Sequence, residues 1–228
     1  MGVQQRSVVF DTETTGLDPL AGDRVIEVAC VELSRDLPTG KTFHVLIDPE
    51  REVPEDSTRV HGITRADLLG KPRFAEIADE LLAFLADSPL IAHNAPFDFG
   101  FLNAEFDRIG RPPLAHARMI DTLALAKTRY PGLPNSLDAL CRRFGIDLSE
   151  RTSHNALLDC RLLSDVYVEL TGGRQPTLLP EAADGMVMPT ITYQFRRPRR
   201  PVLVEVSAEV LARHAAFIAR IQNPIWLS

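Results

Sequence analysis

The sequence predicts an α/β fold in which a mixed five-stranded sheet is flanked by helices. Three β-branched-rich segments come first, set apart by Gly, Pro and Asp, and segments of helical and strand periodicity then alternate. A length of 228 residues is enough for one substantial domain plus an appendage, and short for two. Ser7–Glu13, Arg24–Leu33 and Lys41–Asp48 read as consecutive antiparallel strands. From Arg73 to Asp87 the apolar residues Phe74, Ile77, Ala78, Leu81, Leu82 and Leu85 recur at helical spacing, and Pro89–Ala92 follows as a strand. A helix is expected over Pro96–Ile109 and a short strand over Arg118–Thr122. Another helix starts near Asn135–Ser136, with Leu137, Leu140 and Phe144 on its apolar side. The last long helix of this region, Asn155 to Leu170, stops at Gly172–Gly173.

Beyond Gly173 the texture changes to Pro, Gly, Ala and Thr, then to Arg196, Arg197, Arg199 and Arg200, as in a flexible linker. Ser207 can cap a helix whose Val210, Leu211, His214, Phe217, Ile218 and Ile221 form one broad apolar stripe. It ends at Asn223–Pro224, ahead of Trp226, the single tryptophan. Three regions are expected: a domain over 1–173, a linker over 174–203 and an amphipathic tail over 204–228.

Hydrophobic residues at 45% and charged residues at 25% suit a globular chain rather than a disordered or membrane one. No apolar run approaches the roughly 20 residues that cross a bilayer. Met1–Ser7 has no basic flank leading into an apolar stretch, so secretion is not expected. Cys30, Cys141 and Cys160 lie far apart, which argues against a disulfide framework or thiolate zinc site and for a reducing cytoplasm. The net charge of −6 hides an asymmetry: residues 1–172 carry 18 Lys and Arg against 27 Asp and Glu, whereas 173–228 carry 7 against 4. An acidic body does not attract nucleic acid at long range, so a nucleic-acid substrate would require metals and partners.

Three clusters carry chemistry. In Val8-Val9-Phe10-Asp11-Thr12-Glu13, residues two apart share one side of a strand, so Asp11 and Glu13 project together at its C-terminal end. Such close carboxylates repel unless a cation neutralises them. Gly16 then gives the backbone freedom to turn close to a ligand. His93-Asn94-Ala95-Pro96-Phe97-Asp98 runs from a strand into a helix, with Asn94 as cap and Asp98 in the first turn. His154-Asn155-Ala156-Leu157-Leu158-Asp159 opens the last long helix. Five helical residues rotate by about 140°, so His154 sits in the loop or first turn while Asp159 faces inward. Any one cluster alone reads as strand-end or helix-start decoration. Together, four acids and a histidine form an oxygen-rich site for hard cations such as Mg²⁺ or Mn²⁺ rather than zinc. Two such cations can position a water and stabilise the attacking and leaving oxygens of a phosphodiester, and a histidine titrating near neutrality can take the proton.

FDTETTGLDP, HNAPFDFGFL and HNALLDC, in that order, resemble the three motifs of the DEDDh 3′–5′ exonucleases, which have an RNase H-like fold. The four-residue gap between His154 and Asp159 matches the histidine subtype. VHGIT at 60–64, FAEIADE at 74–80, Tyr130-Pro131-Gly132, NSLDALC at 135–141 and VYVELTGG at 166–173 extend the similarity to the proofreading ε subunits of bacterial DNA polymerase III, over residues 6–173. That resemblance implies that Asp11, Glu13, Asp98 and Asp159 hold two divalent cations and that His154 is the general base. It also implies that Asp11, Glu13 and Asp159, with Asp56 and His61, meet the terminal nucleotide.

Implied partners are a single-stranded or frayed 3′ end of DNA, the polymerase III α subunit through the tail (Val204–Ile221 with Ile225-Trp226), and the sliding clamp through Gln175-Pro176-Thr177-Leu178-Leu179. Pro180 departs from the usual ending of such a clamp peptide. Two alternatives stay open: an RNA-trimming exonuclease with the same catalytic residues, and a non-catalytic scaffold for a polymerase.

Overall fold

The structure is a computed structural model that describes residues 6–149, 151, 154–172 and 206–221. The expected linker, the clamp-like segment and Trp226 lie outside the described residues. The chain divides into two units at Pro176/Thr177, and each is described by itself.

In the larger unit, β1 (Arg6–Thr14), β2 (Val25–Ser34) and β3 (Leu37–Leu46) form an antiparallel meander. β3 begins four residues earlier than its apolar pattern indicates. The reason is the turn: Arg35 and Asp36 both adopt left-handed backbone, φ 51° and 62°, the two-residue geometry that matches strand twist. Next come α1 (Glu55–His61), α2 (Arg65–Leu68), α3 (Phe74–Leu85), β4 (Leu90–Ala92), α4 (Ala95–Arg108), β5 (Met119–Asp121), α5 (Thr122–Arg129), α6 (Leu137–Phe144) and α7 (Ala156–Thr171). The sheet order is β3-β2-β1-β4-β5, with β4 parallel to both β1 and β5. The expected mixed sheet flanked by helices is therefore present. No helix among the described residues is long and apolar enough to cross a membrane.

β1 is the central strand and is covered on both faces. Val8 and Phe10 face a core built with α3 and α4 residues such as Leu81, Phe99 and Leu102. Val9 faces the other core, with Leu140, Cys160, Leu163 and Val166 from α6 and α7. By strand alternation Asp11 and Glu13 share the α7 face with Val9, whereas Thr12 shares the α4 face. Because β1 and β4 run parallel, their C-terminal ends open side by side, the place where ligands bind in open α/β sheets. Phe10 and Phe99 meet edge to face at 5.6 Å, which fixes the start of α4 against β1.

In the smaller unit, α8 (Ala208–Ile218) is capped by Ser207, whose side chain accepts the Val210 N–H. Val210, Leu211 and Phe217 are exposed.

Candidate active site

The three clusters converge at the open ends of β1 and β4. Asp11, Glu13, Asp56, His61, Asp98 and His154 line one cleft of about 390 Å³, a size within the range of small-ligand sites. Asp159 lines an adjoining recess that shares Asp11, His93 and His154 with the first.

Asp98 reaches the site through Thr12. Its Oδ1 accepts both the Thr12 N–H at 3.0 Å and the Thr12 hydroxyl at 2.7 Å, so α4 is pinned one residue from Asp11. At 3% exposure, desolvation pushes the Asp98 carboxyl up to about 7 despite those two bonds. Asn94 occupies the cap position of α4 but does not cap with its side chain: its backbone is left-handed, φ 70° and ψ 46°. Asp121, at the end of β5, takes that role instead, accepting the N–H groups of Asn94 at 3.0 Å and Ala95 at 3.3 Å.

Asp11 and Glu13 sit among other acids. Burial, then the charges of Asp98, Glu13, Asp159 and Glu27, hold the Asp11 carboxyl well above the usual range. Burial raises Glu13 to about 8, with the His154 charge opposing and Glu27 adding. Glu27, the cross-strand partner of Glu13, is buried. It pairs with His44 Nε2 at 2.6 Å and accepts the Ala156 N–H of the first turn of α7 at 3.3 Å. Glu27 thereby ties the start of α7 to β2, the neighbour of the strand that carries Asp11 and Glu13.

α7 is capped by the Asn155 side chain, which accepts the Leu158 N–H at 3.0 Å. This leaves His154 just outside the helix and exposed, with its own N–H on the Val60 carbonyl at 3.2 Å. Its Nδ1 lies 3.3 Å from Asp159 Oδ2 and 3.0 Å from Arg151 Nη2. These contacts demand opposite tautomers. Donating to Asp159 leaves Nε2 with a free lone pair, whereas accepting from Arg151 puts the proton on Nε2. The Asp159 hydrogen bond raises the His154 pKa. Burial pushes Asp159 upward, but the Arg151 and His154 bonds outweigh it and hold its carboxyl below the usual range.

Ligand atoms of Glu13, His154 and Asp159 all lie within 4.8 Å of one another. Add Asp11 and Asp98, whose pKa values are raised by burial first and by neighbouring acids after it, and the oxygen-rich donor set fits hard divalent cations. Asp56 lies at the cleft edge, 84% exposed and paired with Arg59. His61 is buried at the end of α1, its Nδ1 accepting the Ile63 N–H at 3.0 Å. Burial lowers the pKa of both His61 and His93, against a backbone hydrogen bond with Thr14 for the first and with Asn135 for the second.

A family model described as "Exonuclease" matches residues 8–167. A protein named DNA polymerase III subunit epsilon from Rickettsia typhi is 44% identical over 223 residues, covering 95% of this chain and 96% of its own length. One of the same name from Escherichia coli K12 is 39% identical over 230 residues, covering 96% and 94%. The chain belongs to this exonuclease family. A divalent-metal requirement goes with such exonucleases, in agreement with the acid cluster. The exonuclease fold is also that of the DEDDh nuclease domain of 3′hExo, bound there to rAMP (TM-score 0.63, 18% identity, 75% of this chain and 93% of that one). Exonuclease X in complex with 5′ overhanging duplex DNA is similar in the same way (TM-score 0.56, 24% identity, 72% and 90%).

Arg151, Glu27, His93 and Asp138 were not legible as site residues. His93 opens the motif read for Asp98, and Arg151 lies three residues before the motif that opens with His154.

Proposed function

We propose that this exonuclease is the proofreading subunit of a bacterial DNA polymerase III, removing 5′-mononucleotides from the 3′ end of single-stranded or frayed DNA. The observation that carries the chemistry is the convergence of Asp11, Glu13, Asp98, Asp159 and His154 around one cleft. Asp11, Glu13, Asp98 and Asp159 would hold two divalent cations, Mg²⁺ or Mn²⁺. When bound, these supply charge stabilisation to the attacking and leaving oxygens. His154 Nε2 takes a proton from water as the water oxygen bonds to phosphorus and the bond to the 3′ oxygen breaks. Asp159, accepting from Nδ1, keeps His154 in the tautomer that can act as base. Asp56 and His61 meet the terminal nucleotide. A mispaired terminus frays at lower cost, so mismatches are favoured without any reading of the base.

The domain over 1–173 carries this activity, and the linker over 174–203 tethers a tail over 204–228 to the polymerase α subunit. Gln175-Pro176-Thr177-Leu178-Leu179 is a contact for the sliding clamp. The near full-length similarity to polymerase III ε subunits supports this assignment, and the exposed Val210, Leu211 and Phe217 suit an apolar partner surface. The compartment is the bacterial cytoplasm.

Asp11→Ala and Asp98→Ala should each lower Mg²⁺-dependent degradation of a 3′-labelled DNA oligonucleotide by about a thousandfold or more with the fold intact by circular dichroism. Wild-type rates in either variant would remove the metal assignment. Faster degradation of a matched RNA oligonucleotide than of DNA would move the protein to RNA trimming.

A further inference from the structure

Glu27 is a buried acid that the proposed reaction does not use. Its side chain is 2% exposed, yet it stands across the sheet from Glu13. After burial itself, its charge is among those that push the Asp11 and Glu13 carboxyls up. A further carboxylate in this crowd adds repulsion, so its contribution lies in what its two oxygens hold. Oε1 meets His44 Nε2 at 2.6 Å, and Oε2 accepts the Ala156 N–H at 3.3 Å. Ala156 opens α7, and its N–H is one of those that a helix start leaves without an internal partner. The Asn155 side chain serves Leu158 instead. Glu27 is thus a second cap, supplied from another element, with its negative charge at the positive end of the helix. Further along α7, Cys160 Sγ lies 3.4 Å from the Ala29 carbonyl. Ala156 and Cys160 share one face of the helix, and Glu27 and Ala29 share one face of β2. The helix is therefore fastened to the strand in register, with Asp159 between the two fastenings and His154 just ahead of the first.

We infer that Glu27 and His44 are a pair of positioning residues: His44, on β3, orients the Glu27 carboxylate, and Glu27 holds the first turn of α7 so that His154 and Asp159 stay in place opposite Asp11 and Glu13. The inference rests on the roles proposed for His154 and Asp159 and deepens them. His154 lies outside the helix, so its place follows from where the helix begins. Helix ends fray. A start loosened by an ångström would move His154 and Asp159 together, a displacement that costs up to about a hundredfold in rate. Neither Glu27 nor His44 lines the cleft or the adjoining recess, so their loss acts on turnover rather than on substrate affinity. The chemistry of the two bonds also separates geometry from charge. Gln at position 27 keeps an acceptor for the Ala156 N–H and an amide that can donate to His44 Nε2, and Gln at position 44 keeps a donor where Nε2 stands.

The test is steady-state hydrolysis of a 3′-labelled DNA oligonucleotide by the full-length chain at saturating Mg²⁺, together with hydrogen exchange in EDTA followed by mass spectrometry. Glu27→Ala should lower kcat by about thirtyfold or more with KM within about twofold of wild type. It should also speed exchange about tenfold at the start of α7 while leaving α3 and α4 as in wild type. Glu27→Gln should return kcat to within about threefold and restore the slow exchange. His44→Ala should lower kcat by about fivefold, His44→Gln should recover it, and the double variant Glu27→Ala with His44→Ala should be no slower than Glu27→Ala alone. Wild-type kcat in Glu27→Ala overturns the inference, as does a Glu27→Gln as slow as Glu27→Ala. Faster exchange spread evenly over the domain overturns it too, since that marks a merely structural role. If Glu27→Ala fails to fold, the His44 pair decides alone: His44→Ala at the wild-type rate, or His44→Gln as slow as His44→Ala, overturns the inference. A wild type without Mg²⁺-dependent hydrolysis overturns the nuclease reading and this inference with it, whereas an active wild type with unmoved variants overturns the inference alone.

Discussion

Burial and mutual repulsion hold the carboxyls of Asp11, Glu13 and Asp98 above their ordinary range, Glu13 near 8 and Asp98 near 7. An acid whose pKa is higher folded than unfolded binds more protons in the native state between the two values. Stability therefore falls as pH rises through that window. Without divalent ions the melting temperature should drop from about pH 5 to about pH 8, and Mg²⁺ or Mn²⁺ should remove most of the drop. Asp11→Asn should flatten the EDTA profile while abolishing turnover. Melting curves in EDTA across that range check this, and stability that rises with pH would contradict it. Gly16 exerts a different local constraint. A Cβ there would lie 2.2 Å from Asp23 Oδ2. Asp23 cannot easily yield, since it accepts from the Thr15 hydroxyl at 3.2 Å and the Asp18 N–H at 3.1 Å and pairs with Arg51 at 3.2 Å. Gly16→Ala should lower stability by about 1–3 kcal/mol and reduce turnover by shifting Leu17 at the cleft. In a double-mutant cycle with Asp23→Ala, the two losses should fail to add.

Among the elements, α4 is fastened at both ends, and the C-terminal fastening is ionic. Glu105, 1% exposed, receives Arg24 Nε at 2.7 Å and Nη2 at 2.9 Å, as well as Arg108 at 3.1 Å and the Val25 N–H at 3.2 Å. Arg24→Ala leaves that buried carboxylate undercompensated and should cost about 3–5 kcal/mol in chemical denaturation. Misplacement of Asp98 at the other end of α4 should lower turnover as well. The long elements were legible because each repeats a strong period: Phe74, Ile77, Ala78, Leu81 and Leu85 of α3 are all buried. α1, α2 and α5 were not. Glu55–His61 buries only His61 and Arg65–Leu68 only Leu68, so neither shows an apolar stripe. Thr122–Arg129 buries just Thr122 and Ala126, a spacing of four with nothing between to mark a face. The five residues proposed for catalysis were legible because three short motifs stand in a fixed order. Glu27, Asp138 and Arg151 were not, because their roles arise from partners 17 to 129 positions or 8 to 13 positions away, and no local spacing encodes such a meeting.

At the scale of the whole molecule, the acidic residues 1–172, with 27 Asp and Glu against 18 Lys and Arg, bring little phosphate attraction of their own. On the proposed function, the enzyme gains its 3′ ends by being carried to them. Residues 173–228, with 7 Lys and Arg against 4 Asp and Glu, have the opposite balance, and α8 displays exposed apolar side chains in its own unit. A tether of the kind proposed would raise the effective concentration of the active site at the primer end without any new contact to DNA. Removing residues 180–228 should then separate two properties that the intact chain joins. Mg²⁺-dependent hydrolysis of a free single-stranded oligonucleotide should stay within about twofold of the full chain, since every residue lining the cleft lies before the cut. Co-elution with the polymerase, and removal of a mismatched primer end during synthesis, should be lost. Size-exclusion chromatography with the polymerase and a primer-extension assay with a 3′ mismatch measure both. Loss of the free-oligonucleotide activity in the truncated chain would mean that the tail supports the catalytic fold itself, and delivery by a partner would no longer account for the charge division.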